Sequence, residues 1–102
     1  MTRDYKLWLD DERQPPAKDW VVARSRVDFE HVINTFGMPY LMDLDHDLGD
    51  SDPNTTGMAC LNWLYNQGYD IADTEIKVHS SNFDGHEHMT GFIANWRKYT
   101  TQ

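Results

Sequence analysis

Cysteine is nearly absent, and Cys60 stands alone. That excludes an internal disulfide and a thiolate-based zinc cage. Long apolar runs are also missing, so no membrane-spanning helix is expected. The opening segment MTRDYKLWLDDER lacks an apolar core and a small-residue cleavage site, so it does not read as a signal peptide. Cytoplasm is the default compartment on these grounds. Basic residues are scarce: 9 Lys and Arg face 17 Asp and Glu, a net charge of −8. Such a balance argues against sequence-independent grip on duplex nucleic acid, which needs clustered cations. It leaves open chemistry on a single phosphate, because a bound cation can reverse the local sign. Internal repeats and low-complexity tracts are lacking too.

What remains is 102 residues with four Trp, five Tyr and four Phe spread along the chain. That is a folded globule of one domain, residues 1–102, with a single core. Tyr5–Asp10 alternates Leu7 and Leu9 with Lys6 and Trp8, and reads as a strand. Pro15 and Pro16 then forbid a helix and enforce a stiff loop. Trp20–Ala23 is a second strand. Ser25 is a candidate N-cap for a helix carrying Val27, Phe29, Val32, Ile33 and Phe36, stopped by Gly37. Pro39–Asp45 is a third strand, followed by a polar loop with Gly49, Asp50 and Asp52, both acids read as loop solvation. Thr55 or Thr56 caps a helix with Met58, Leu61, Trp63, Leu64 and Tyr65 on its apolar face. Glu75–Ser80 is a fourth strand. Gly85–Tyr99 is a last helix with Met89, Phe92, Ile93 and Trp96 on one stripe.

Alternating strands and helices predict an α/β layer fold with a mostly parallel sheet. One connection is awkward. Only about nine residues separate the first two strands, whereas a parallel crossover normally takes about a dozen. The direction of the second strand therefore stays open.

Three strands end in polar clusters: Asp10-Asp11-Glu12-Arg13, Asp43-Leu44-Asp45-His46-Asp47 and His79-Ser80-Ser81-Asn82. Parallel strands bring such ends to one edge, where open α/β sheets bind ligands. Convergent carboxylates repel one another, and a hard divalent cation relieves that repulsion. Oxygen donors without thiolate favour Mg²⁺ or Mn²⁺. A nearby histidine can move a proton. Arg13, Ser80 and Asn82 are suited to holding a phosphate.

These residues suggest a family. The acidic pair after strand one, the Asp after strand three and the hydroxyl after strand four resemble the response-regulator receiver domain. More specifically, L-W-L-D-D-E-R-x-P-P (from Leu7), D-H-D-L-G (from Asp45), the later T-G and V-H-S-x-N-x-x-G (from Val78) resemble the cyclic-phosphate processing receiver family. The resemblance runs from Leu7 to about Met89. It implies a reduced receiver-like, flavodoxin-like three-layer sandwich: a mostly parallel four-stranded sheet with helices on its faces. It further implies Asp10 and Asp11 as the metal-binding acidic pair, with Asp45 where a receiver accepts phosphate; the converging acids add Asp45 and Asp47 to the expected metal ligands. His46, Asp47, His79, Ser80 and Asn82 match the family's own signature, and the contexts implied are RNA repair or phage biology, hence host cytoplasm if phage-encoded. Two features depart from a receiver. No fifth strand ending in lysine follows strand four, and no helix fits between strands one and two. Both weaken a phosphorelay switch and favour phosphate processing.

Other signals read more simply. Asp43, Asp45 and Asp47 open like an EF-hand loop, but Leu48 sits at the glycine position and Asn54 at the closing glutamate. Strand alternation leaves Asp43 a structural residue. His86 and His88 read as a surface pair, His31 as surface, Cys60 as a small buried hydrophobe, and the four tryptophans as core. No Ser-His-Asp order makes Ser80 a convincing nucleophile.

Two functions from different classes follow. One is a metal-dependent phosphoesterase acting on a cyclic phosphate of a nucleotide or RNA end, with Asp45, His46 and His79 catalytic and Arg13, Ser80 and Asn82 binding substrate. The other is a non-catalytic nucleotide- or protein-binding module, such as a phage accessory protein, with a protein partner and a structural cation.

Overall fold

The computed structural model describes residues 3–49 and 52–100; Asp50 lies outside them. Four strands, β1 (Arg3–Leu9), β2 (Trp20–Ala23), β3 (Pro39–Leu44) and β4 (Glu75–Val78), form one sheet in the order β2-β1-β3-β4. All three pairings are parallel. Three α-helices follow: α1 (Arg26–Phe36), α2 (Gly57–Asn66) and α3 (Phe83–Thr100), with one 3₁₀ turn at Pro53–Thr55. The expected receiver-like α/β fold is therefore present, and its strand order is that of a flavodoxin-like sheet.

The second strand is parallel to the first despite the short connection. Register pairs Lys6 with Trp20 and Leu9 with Ala23, so the chain must travel back about 10 Å, well within the reach of ten residues. No helix is needed, because side chains pin the loop. The Trp8 indole donates to the Arg13 carbonyl at 3.0 Å. The Arg24 guanidinium donates to the Asp10 and Arg13 carbonyls at 3.0 and 2.8 Å. Arg24 went unnoticed in the sequence.

Strand alternation divides the sheet. Leu7, Leu9, Met42 and Leu44 join one core with Phe29 and Ile33 of α1, Leu61 and Leu64 of α2, and Met89 and Ile93 of α3. All three helices thus pack on one face. The intervening positions, Trp8, Val22, Asp43 and Lys77, share register on the other face. There the layer over the sheet is the 11–19 segment, whose prolines line a hollow with Trp20 and Val22. Trp20 is accordingly half-buried on this face rather than in the core.

Local signals explain the helix ends. The Ser25 hydroxyl accepts from the Asp28 N–H, and Gly37 closes α1 at φ 85°. Thr56 caps α2. Val27 and Phe36 were expected on the buried face of α1 but are 77% and 51% exposed, since the buried stripe of α1 is Phe29, Val32 and Ile33. Tyr65 of α2 is likewise 55% exposed, packing edge-on against Phe92 and Trp96 of α3. Helix α3 begins two residues before the expected Gly85, because Asn82 caps it through its side-chain oxygen to the Gly85 N–H at 2.9 Å.

Candidate metal and phosphate site

The carboxyl ends of β1, β3 and β4 meet in a cleft of about 220 Å³ lined by Asp10, Asp11, Arg13, Asp45, Asp47 and Ser81 among others. Asp10 follows β1 and is 1% exposed. Its Oδ1 accepts the Glu12 and Arg13 N–H groups, each at 2.9 Å. Its Oδ2 lies 2.9 Å from His79 Nε2. Asp45 follows β3 and is 7% exposed. Its Oδ1 accepts the His46 N–H at 2.8 Å, which leaves Oδ2 for the cleft.

His79 follows β4, held by its N–H donating to the Leu44 carbonyl at 3.0 Å. Its ring stacks on the Trp8 indole, with centroids 4.1 Å apart and planes 6° off parallel. Nδ1 lies 2.6 Å from Asp43 Oδ1, so the imidazole bridges two carboxylates. A neutral imidazole donates only one N–H, whereas both contacts are met by the imidazolium.

The electrostatics follow from these contacts. Burial depresses the His79 pKa, but hydrogen bonds to Asp43 and Asp10 and the charges of Asp43 and Asp45 outweigh it and raise the value. Burial pushes Asp10 up, yet the N–H groups of Arg13 and Glu12 and the His79 ring hold its carboxyl below the usual range. Asp45 moves upward, through burial first and the adjacent Asp10 charge second. Asp47 is lowered, chiefly by the His46 ring.

Carboxylate oxygens of Asp10 and Asp45 and a ring nitrogen of His79 all lie within 4.8 Å of one another, and the His79 nitrogen could ligate only after giving up its proton. Two buried carboxylates beside one imidazole, with Asp11 and Asp47 on the same cleft, fit a small hard cation. The carboxylates outnumber the one guanidinium in the cleft, so an anion entering alone would be repelled.

Five residues singled out in the sequence, Asp10, Asp11, Arg13, Asp45 and Asp47, line this one cleft. Arg13 also reaches the His79 carbonyl at 3.3 Å through Nη1. His46 joins through Asp47, with Nδ1 to Oδ1 at 2.8 Å. Ser80 does not line the cleft; its hydroxyl accepts the Asn82 N–H at 3.0 Å, and Ser81 stands at the wall instead. Asn82 uses its oxygen as the α3 cap and directs its Nδ2 toward both Asp47 oxygens at 3.4 Å.

Asp43 was read as structural, yet it is the second partner of His79. Two motif glycines also gain a reason. A Cβ at Gly57 would lie 2.0 Å from the Asp45 carbonyl oxygen, and one at Gly85 would lie 2.5 Å from His46 Cγ. Glycine at these positions lets α2 and α3 press against the site residues.

The cyclic-phosphate processing Receiver domain family matches residues 5–95. The chain belongs to that family. No curated protein and no solved structure matches it. Among the described residues no helix is long and apolar enough to cross a membrane.

Proposed function

We propose that this receiver domain is a metal-dependent phosphoesterase that opens a cyclic phosphate on a nucleotide or RNA end. The observation that carries the reading is the 4.8 Å convergence of Asp10, Asp45 and His79 at the acidic cleft. Asp10, Asp11, Asp45 and Asp47 would hold Mg²⁺ or Mn²⁺. When bound, the cation would offset the carboxylate charge and polarise the phosphate.

The chain's own groups supply the rest. Arg13 reaches the phosphate as a planar fork, with Ser80 and Asn82 holding the loop that bounds it. Asp45 Oδ2, left facing the cleft, accepts a proton from the attacking water. The water oxygen bonds to phosphorus as the ester bond to the ribose oxygen breaks. His79 gives its Nε2 proton to that leaving oxygen, and Asp43 fixes the ring and its charge. His46, oriented by Asp47, stands beside the same cleft and serves the leaving-group side.

The test is hydrolysis of 2′,3′-cyclic and 3′,5′-cyclic nucleotides with Mg²⁺ or Mn²⁺. Expected is turnover that EDTA abolishes and that Asp45→Ala lowers by about 100-fold or more. No turnover above the Asp45→Ala control, with either substrate and either metal, sinks the catalytic reading.

One observation favours the binding module. His79 already hydrogen-bonds both Asp10 and Asp43 and offsets one of their two charges, so these carboxylates are held in place without an ion. Calorimetry separates the two readings: tight nucleotide binding with the ligand recovered unchanged supports the module. A phosphorylatable receiver is disfavoured. No lysine lines the cleft among the described residues.

A further inference from the structure

The acidic cleft is too small for a whole nucleotide. Its 220 Å³ falls below the roughly 300–1,000 Å³ of ordinary small-molecule pockets. It suits an ion and a phosphate, and the organic remainder of a substrate must lie outside it. A second depression of about 570 Å³ lies beside α2, lined by His46, His88, Asn62, Trp63, Asn66 and Gln67 among others. His46 links the two spaces. Its ring lines the α2 groove, while its Nδ1 contacts Asp47 of the cleft at 2.8 Å.

We propose that this α2 groove is the seat of the nucleoside, so that the substrate is a cyclic nucleotide or RNA end recognised through its base; this rests on the cleft being the phosphate site. The lining chemistry supports a heterocycle. Asn62 and Asn66 stand one helical turn apart on α2, and Gln67 follows them. Each carboxamide carries donors and an acceptor, the complement of a base edge. Among the described residues, none hydrogen-bonds the side chains of these three. Ala59, one turn before Asn62, keeps the floor low, and the half-buried Trp63 ring supplies an aromatic wall. The groove also lacks the crowd of acids that would repel a nucleotide; its lining holds two histidines and Arg26, which is paired with Glu30 at 2.7 Å.

The competing direction, the hollow of about 450 Å³ beside Pro15, Pro16 and Trp20, fits less well. Lys6 Nζ already sits over the Trp20 ring at 4.9 Å, and Trp8 packs edge-on against it. The carboxamide there, Gln14, has its oxygen taken by Arg24 at 3.2 Å.

The test is an NMR titration of the ¹⁵N-labelled full chain. The probes are the four 2′,3′-cyclic nucleotides, the four free nucleosides, and glycerol 1,2-cyclic phosphate as a base-free control, all with Mg²⁺. Expected are shifts of the Asn62, Asn66 and Gln67 side-chain amides and the Trp63 indole by nucleotides and nucleosides but not by the glycerol ester. At least one nucleotide should bind about tenfold more tightly than the glycerol ester, and N62L/N66L should erase that advantage. Shifts confined to the cleft, or equal affinity for base-bearing and base-free esters, overturn the proposal. If no ester is hydrolysed but the groove shifts persist, the catalytic reading falls while the groove stands. If esters are hydrolysed without base preference or groove shifts, the reverse holds.

Discussion

The two faces of the sheet divide the labour. On the helix side, Leu7, Leu9, Met42 and Leu44 are fully buried among the helices. On the other side, Trp8, Asp43 and His79 form a stack and a hydrogen-bonded chain that ends on Asp10. The division runs through single strands: Asp43 lies between Met42 and Leu44, yet points away from both. Alternation of period two thus lets one short strand hold the core and orient a histidine. Among the described residues no helix covers the second face, and the room beside Trp8 is given to a charged relay and a pinned loop.

The sharpest way to break the contrast is at its meeting point. Asp10→Ala removes the acceptor of two N–H groups and one partner of His79. It should cost about 3–5 kcal/mol in denaturant unfolding and abolish turnover. Leu44→Ala should cost about 2–5 kcal/mol while leaving the His79 titration unchanged by NMR. Its neighbour Asp43→Asn should do the opposite. Stability near pH 8 should change little, turnover should fall about 10- to 100-fold, and the His79 pKa should drop toward its ordinary value.

That drop has a pH signature. The folded pKa of His79 is raised above its unfolded value. Its stabilisation is therefore complete below the unfolded value of about 6.5 and is lost as pH climbs through the higher folded value. Unfolding free energies measured from about pH 5.5 to 9 should decline across that window in wild type and decline less in Asp43→Asn. An equal slope in both would remove Asp43 from the relay.

Smaller effects sharpen the same comparison. Gly85→Ala forces the His46 ring aside, so turnover should fall about tenfold with the fold retained by circular dichroism. Ser25→Ala removes a cap of α1 and no contact of the relay, so it should cost only about 1 kcal/mol in thermal unfolding and leave turnover unchanged.

Much of this was legible in the sequence because strand ends announce themselves. Leu7 and Leu9 alternating with Lys6 and Trp8, then stopping on acids, define β1 and place Asp10. The caps at Ser25 and Thr56 and the stop at Gly37 are chemical signals read locally. What escaped reading depended on neighbours distant in the chain. Asp43 acquires its partner only when β4 lies beside β3, 36 residues apart in sequence. The parallel course of β2 depends on Arg24 and Trp8 gripping a loop, which no periodicity records. The exchange of Ser80 for Ser81 at the cleft wall and the early start of α3 both follow from one turn, closed by Asn82, that spacing alone does not define.

The most direct measurement is where a cation sits. Substoichiometric Mn²⁺ added to the ¹⁵N-labelled protein should selectively broaden the backbone amides of Asp11, His46 and Ser81, and Asp45→Asn should remove that broadening. Broadening spread over surface acids such as Asp70 and Asp73, and unaltered by Asp45→Asn, would contradict the account.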